Sequence, residues 1–376
     1  MKYRVPFSLI IVSAIIISCG ESDNKLLNEI IDPADFAETT HTLNQTVLIE
    51  ETDDFFFGNI RTVQPTSQGD ILVGDFTAMK FWVFNPNGDL IGEIGKEGSG
   101  PGEFKQLGKA YVGHNDTLFV MDWSNARITA FTETTPGKWS HQLDIPIVRP
   151  SGEMLTGFYH FGTQGMTGQY SPGFSASGED TNTQPQISRI NRAGEKVGDP
   201  IATYRQIDSK IQRGTNWAAQ YPIPFGKNGY VRESDDAIHV ADNEFLGATT
   251  FNLDGDTLHH FRHNFVQRPV TEDLIHDRFN GDFTTDFYKA VSDMIPQERP
   301  AFDSFQADNE GNLYFSFDDV TEDSNLWLKY RSDGELLASF NIPTGTTVQR
   351  IYNNKIYCSA GADDVPYIVI YEITEK

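Results

Sequence analysis

Three histidines, His259, His260 and His263, fall within the six-residue stretch LHHFRH, and clustered imidazoles are a natural place to look for metal or acid–base chemistry. On an extended strand His259 and His263 share a face but stand about 13 Å apart, too far to hold one ion, so surface histidines are expected. A second candidate is GKEGSGPGEF (residues 95–104), rich enough in glycine to wrap a phosphate. A Walker-type loop needs Lys-Ser/Thr after Gly100 and a helix beyond it, whereas Pro101 occupies that place. Gly98, Gly100 and Gly102 alternate, which also breaks the G-x-G-x-x-G spacing of a dinucleotide fingerprint. The segment reads as a connector between strands, its glycines permitting reversals and Phe104 filling a gap. The acidic turn DNEGN (308–312) lacks the D-x-[DN]-x-[DN]-G spacing and the closing Glu of a calcium loop, so no cofactor is predicted, and calcium is the ion such turns would take if any. G-x-S-x-G, H-E-x-x-H and C-x-x-C are all missing from the chain.

The elements that must position any site repeat along the chain. One unit recurs: a short strand with an acidic end, a second strand, an Asn-Gly or Asp-Gly turn, and a third strand. It is clearest in GDILVGD, FWVF and NGDLI (69–91) and returns in NDTLFVMD and RITAF (115–131). A degenerate copy runs through QISRI and AGE (186–195); others follow at DAIHVAD with DGD (236–256), EGNLYFS with DGE (310–335), and VQRI with KIYC (348–358). β-Branched and aromatic residues alternating with polar ones make half-buried strands, and Asn-Gly or Asp-Gly supplies the positive φ of tight hairpins. The sixth copy ends at YIVIYEI (367–373) without an outer strand, and QTVLIE (45–50) precedes the first copy. An N-terminal strand completing the last unit would close a ring and remove two open edges. The expectation is an all-β, six-bladed β-propeller of four-stranded antiparallel blades over residues 45–376.

Residues 69–75 (GDILVGD), 98–104 (GSGPGEF) and 308–314 (DNEGNLY) resemble the six-bladed propeller lipoproteins related to NHL-repeat and TolB-like propellers. Two stretches break the spacing. Gly152 to Thr183 is rich in Gly, Ser, Thr and aromatics; Thr271 to Pro296 predicts helices capped at Thr271 and started again at Thr285. Propeller ligands sit over the central channel, where loops enter each innermost strand. Candidates there are Arg61, Lys109, His160, Trp217, Tyr221, Arg299 and Arg350, whose cations would together form an anion-binding funnel.

The ends and the charge set the compartment. Lys2 and Arg4 precede an apolar run, Val5 to Ile17, too short to span a bilayer, and Ser18-Cys19-Gly20 follow. This resembles a lipoprotein signal (residues 1–18) cleaved before Cys19, whose lipid would hold the chain at a membrane, with residues 19–44 as a flexible tether. Net charge is −24, which repels nucleic acid, and Cys358 has no intramolecular partner besides Cys19, so it reads as a small buried apolar residue. The expected protein is an exported outer-membrane lipoprotein, monomeric, on the periplasmic or outer surface. It would act as a binding scaffold for an outer-membrane protein, carbohydrate or peptide. The alternative is a propeller lyase or hydrolase with a metal on the channel axis.

Overall fold

The computed structural model describes residues 25–148, 152–173, 184–318, 323–362 and 365–376. The signal segment and Cys19 lie outside the described residues. Two strands precede the first repeat, β1 (Lys25–Ile31) and β2 (His41–Ile49). Six four-stranded units follow from the sheet order. The first is β3 (Ile60–Pro65), β4 (Ile71–Asp75), β5 (Lys80–Phe84) and β6 (Leu90–Ile94); the second is β7 (Leu107–Gly113), β8 (Thr117–Asp122), β9 (Arg127–Thr135) and β10 (Lys138–Pro146). The third comprises β11 (Glu153–His160), β12 (Met166–Pro172), β13 (Gln186–Ile190) and β14 (Lys196–Thr203). A hairpin, β15 (Ser209–Arg213) and β16 (Ala218–Pro222), comes before the fourth, β17 (Gly229–Glu233), β18 (Ile238–Asp242), β19 (Leu246–Phe251) and β20 (Thr257–Phe265). Helices α1 (Glu272–Arg278) and α2 (Asp286–Val291) separate it from the fifth, β21 (Ser304–Ala307), β22 (Leu313–Phe317), β23 (Ser324–Tyr330) and β24 (Leu336–Pro343). The last unit is β25 (Thr346–Tyr352), β26 (Lys355–Ala362) and β27 (Val365–Glu375), with β2 antiparallel to β27 from His41–Glu375 to Ile49–Ile368.

The core lies between sheets. Each of six apolar clusters joins two neighbouring units: Phe84 with Tyr357, Phe81 with Phe104, Phe119 with Leu155, Tyr159 with Ile238, Phe261 with Phe315, and Phe340 with Ile356. Strands covered on both faces lose their alternation, which is why ILVGD and LYFSF are buried throughout. Phe104 is fully buried between the first two blades, 6.1 Å from the Phe81 ring and 5.6 Å from Phe131. A Cβ on Gly95 (φ +77) would stand 2.1 Å from that Phe104 ring, so the connector needs glycine there on two counts.

Asp75 and Asp122, the acidic ends of β4 and β8, are fully buried. Asp75 accepts the backbone N–H groups of Gly58, Asn59, Thr77 and Ala78 at 2.9–3.1 Å, tying the incoming connector to the turn between the second and third strands. Asp122 does the same for Lys105, Gln106, Ser124 and Asn125. Asp308 accepts from Glu310, Asn312 and the Tyr314 hydroxyl, so both its oxygens serve the turn. Cys358 is buried in the apolar layer between the fifth and sixth blades.

Three expectations are corrected. Residues 25–31 are not free tether: β1 pairs parallel with β20, Lys25 opposite Phe261 and Ile31 opposite Phe265, adding a fifth strand to the fourth sheet. The stretch Gly152 to Thr183 is not an insertion as far as it is described, because β11 and β12 supply the third blade's first two strands; residues 174–183 of it lie outside the described residues. His263 is not on the surface. It is 3% exposed, with Nε2 3.1 Å from the Gly334 carbonyl, because it shares the inward face of β20 with Phe261.

Candidate ligand-binding site at the channel mouth

The first strands of the blades (β3, β7, β11, β17, β21, β25) neighbour one another around the axis. Arg350 from β25 pairs with Glu233 from β17, and both are buried, at 9% and 3% exposure. Arg232 Nε donates to Gln306 Oε1 at 2.9 Å, and Gln306 Nε2 donates to the Val348 carbonyl at 3.3 Å. Tyr111 meets the Tyr159 ring edge-on at 5.6 Å, and the Arg350 guanidinium lies 5.9 Å from the Tyr111 ring. Burial, then the Glu233 charge, pushes both tyrosine hydroxyls well above their ordinary range. Burial lowers the Arg350 guanidinium but the Glu233 carboxylate more than restores it, so the guanidinium stays charged. A buried charge kept this way is viable only as a pair, and this one links the innermost strands of the fourth and sixth blades.

Beyond this pair, where the innermost strands end, a cavity of about 490 Å³ opens. Gln64 comes from the first blade, Tyr111, Asn115 and Asp116 from the second, His160 and Phe161 from the third, Asp235 from the fourth, and Arg350 and Tyr352 from the sixth. His160 stacks on Phe119 at 4.7 Å with 22° between rings, and its Nδ1 accepts the Gly162 N–H at 3.2 Å. Asn115 (φ 58) and Asp116 (φ 51) are consecutive left-handed residues on the rim, held by the Asp116 carboxylate accepting the Ser67 N–H and hydroxyl, each at 2.6 Å. Local strain of this sort concentrates at functional sites. Burial first, then the Asp235 and Asp116 carboxylates, raise the Tyr352 hydroxyl, with Arg350 opposing them. Among the described residues no group of three His, Cys, Asp or Glu is placed to hold a metal ion.

The sequence candidates scatter. His160 and Arg350 line the mouth. Lys109 lies at the entry end of β7; its side chain keeps access to solvent, yet protein crowds it, and that desolvation, with Arg232 adding and Glu233 opposing, lowers its ammonium to about 8. Arg61, at the start of β3, is exposed, its guanidinium 5.5 Å from Phe76 and its Nε donating to Asn59 at 3.3 Å. Arg299 is buried against the last blade-4 connection, donating to Asp303 at 3.0 Å and to the Asp318 carbonyl at 3.2 Å. Trp217 and Tyr221 sit on the β15–β16 hairpin, where Tyr221 stacks on Phe287 of α2 at 6.2 Å, away from the mouth. Tyr111, Glu233, Asp235 and Tyr352 were missed. Their signal was position: within two residues of the end of an innermost strand, beside a turn such as Asn353-Asn354, whose φ values of 48 and 61 fit a two-residue hairpin.

Residues 14–192 match the profile of DUF5128, a 6-bladed β-propeller family. No curated protein matches the chain in sequence. Among solved structures, the chain is similar to a protein of Bacteroides fragilis named as exported, with 10% identity and a TM-score of 0.50, covering 93% of this chain and 98% of that one. It is also similar to a DUF4221-family member from Bacteroides vulgatus, with 8% identity and a TM-score of 0.53, covering 90% and 99%. Such distant likenesses carry the fold, which agrees with the six four-stranded units. Among the described residues no helix is long and apolar enough to cross a membrane.

Proposed function

We propose that this chain is an exported propeller, anchored through lipid on Cys19 and related to the NHL-repeat and TolB-like propeller lipoproteins, that binds a ligand in the channel mouth. The observation that carries the reading is the Arg350–Glu233 pair. Arg350 lines a recess of about 490 Å³ and is held there by the buried Glu233 carboxylate, so a charged pair lies beside the recess. The recess combines aromatic faces (Tyr111, His160, Tyr352) with acceptors (Asp116, Asp235, Gln64), and its one guanidinium is already paired. That chemistry suits a hydroxyl- or amine-rich ligand, a carbohydrate or a peptide presented by an outer-membrane partner, over the anion expected from the cations alone. Thermal-shift screening of neutral oligosaccharides and peptides tests it. A hit should vanish in Tyr352→Ala and survive in Trp217→Ala; hits that need Trp217 and ignore Tyr352 would overturn the assignment.

A further inference from the structure

We infer that the propeller is held with the rim of its fourth blade beside the lipid surface and its first blade turned away from it. This rests on the lipid anchor at Cys19 proposed above. The first pairing after that residue is Lys25 with Phe261, so the leash from Cys19 advances six residues and reaches at most ~21 Å. Were the chain first held at His41, where β2 begins, the same anchor would sit on a leash of roughly 75 Å and impose no orientation.

β1 is thus an orienting element. Its parallel pairing continues to Ile31 opposite Phe265, and the Val266 N–H donates to the Ile31 carbonyl at 2.9 Å, locking the strand at the outer edge of the sheet. Ile30 and Leu258, at 64% and 48% exposure, stand on this rim. β1 runs parallel to β20, so its N-terminal end points toward the turn at Asn252 to Asp256, on the same end of the ring as the channel mouth. The first blade, diametrically opposite in a ring of six, is the part of the molecule farthest from the anchor.

The test uses the lipidated chain in vesicles of neutral phospholipid carrying an energy-transfer acceptor on the headgroup. A donor is attached at Leu258→Cys or, on the opposite blade, at Asn87→Cys, both exposed; Cys358 is buried and stays unlabelled. Transfer at position 258 should exceed that at 87 by at least twofold, and Leu27→Pro, which breaks the β1 ladder, should equalise the two. Equal transfer in the parent chain, stronger transfer at 87, or an asymmetry that survives Leu27→Pro would each overturn the inference. If mass analysis finds no lipid on Cys19, the anchor reading falls by itself, and the orientation is then measured after coupling a maleimide lipid to Cys19.

Discussion

The first and third blades solve one problem with different chemistry. In the first, a fully buried carboxylate, Asp75, gathers four backbone N–H groups and fastens the incoming connector to the strand turn. In the third, the second strand ends at Pro172 with no such acid. Its ties are mostly side chain to side chain: Glu153 pairs with Lys196 and accepts from Gln186 at 2.8 Å, and Lys196 lies 4.2 Å over the Tyr170 ring; the Tyr204 hydroxyl adds one bond to backbone, donating to the Tyr170 carbonyl at 3.0 Å. A carboxylate that satisfies backbone donors leaves a short, recurring signature, because any sequence around it can present N–H groups. A network of specific side chains leaves none, and the third repeat looks degenerate for that reason.

Breaking the first arrangement should cost more than breaking the second. The largest effect is expected at Phe104→Ala, which empties the wedge between the first and second blades and should cost about 3–5 kcal/mol in urea unfolding. Asp75→Asn comes next, at about 2–3 kcal/mol, because an amide turns its own N–H groups toward backbone donors that then go unsatisfied. It carries a pH signature. Burial raises the Asp75 carboxyl, but its four backbone donors outweigh that and hold it below its ordinary 3.8. Its contribution is therefore complete above that value and is lost as pH falls through the lower folded value. The stability gap between parent and variant should be full at pH 7 and shrink below about pH 4; a gap that grows on acidification would refute the arrangement. Glu153→Gln should cost only about 1 kcal/mol, since Lys196 keeps solvent and the amide can still accept from Gln186.

What was legible follows the same division. Hairpin turns such as Asn85 to Asp89 announce themselves: the Asn85 side chain accepts the Asn87 and Asp89 N–H groups at 2.9 and 3.0 Å, and Gly88 takes a φ of +90. The helix starts at Thr271 and Thr285 are equally local, each hydroxyl accepting from the residue three positions on. The connector around Phe104 was legible because its glycines and aromatic act within ten residues. The pairing of β1 with β20 was not, since an edge contact between residues more than two hundred apart leaves no periodicity in either strand. The channel mouth was legible only in part. His160 and Arg350 were singled out by residue type, but convergence depends on which end of an innermost strand a residue occupies, and that follows only once the ring is built.

The central claim is that the recess beside the Arg350–Glu233 pair is the working surface. Photocrosslinking in intact cells tests it most directly, with a photoreactive residue at Gln164 on the mouth or at Glu298 near the opposite end of the ring, both exposed. Adducts from position 164 that disappear in Tyr352→Ala are predicted. Adducts from position 298 alone, unaffected by Tyr352→Ala, would contradict the account.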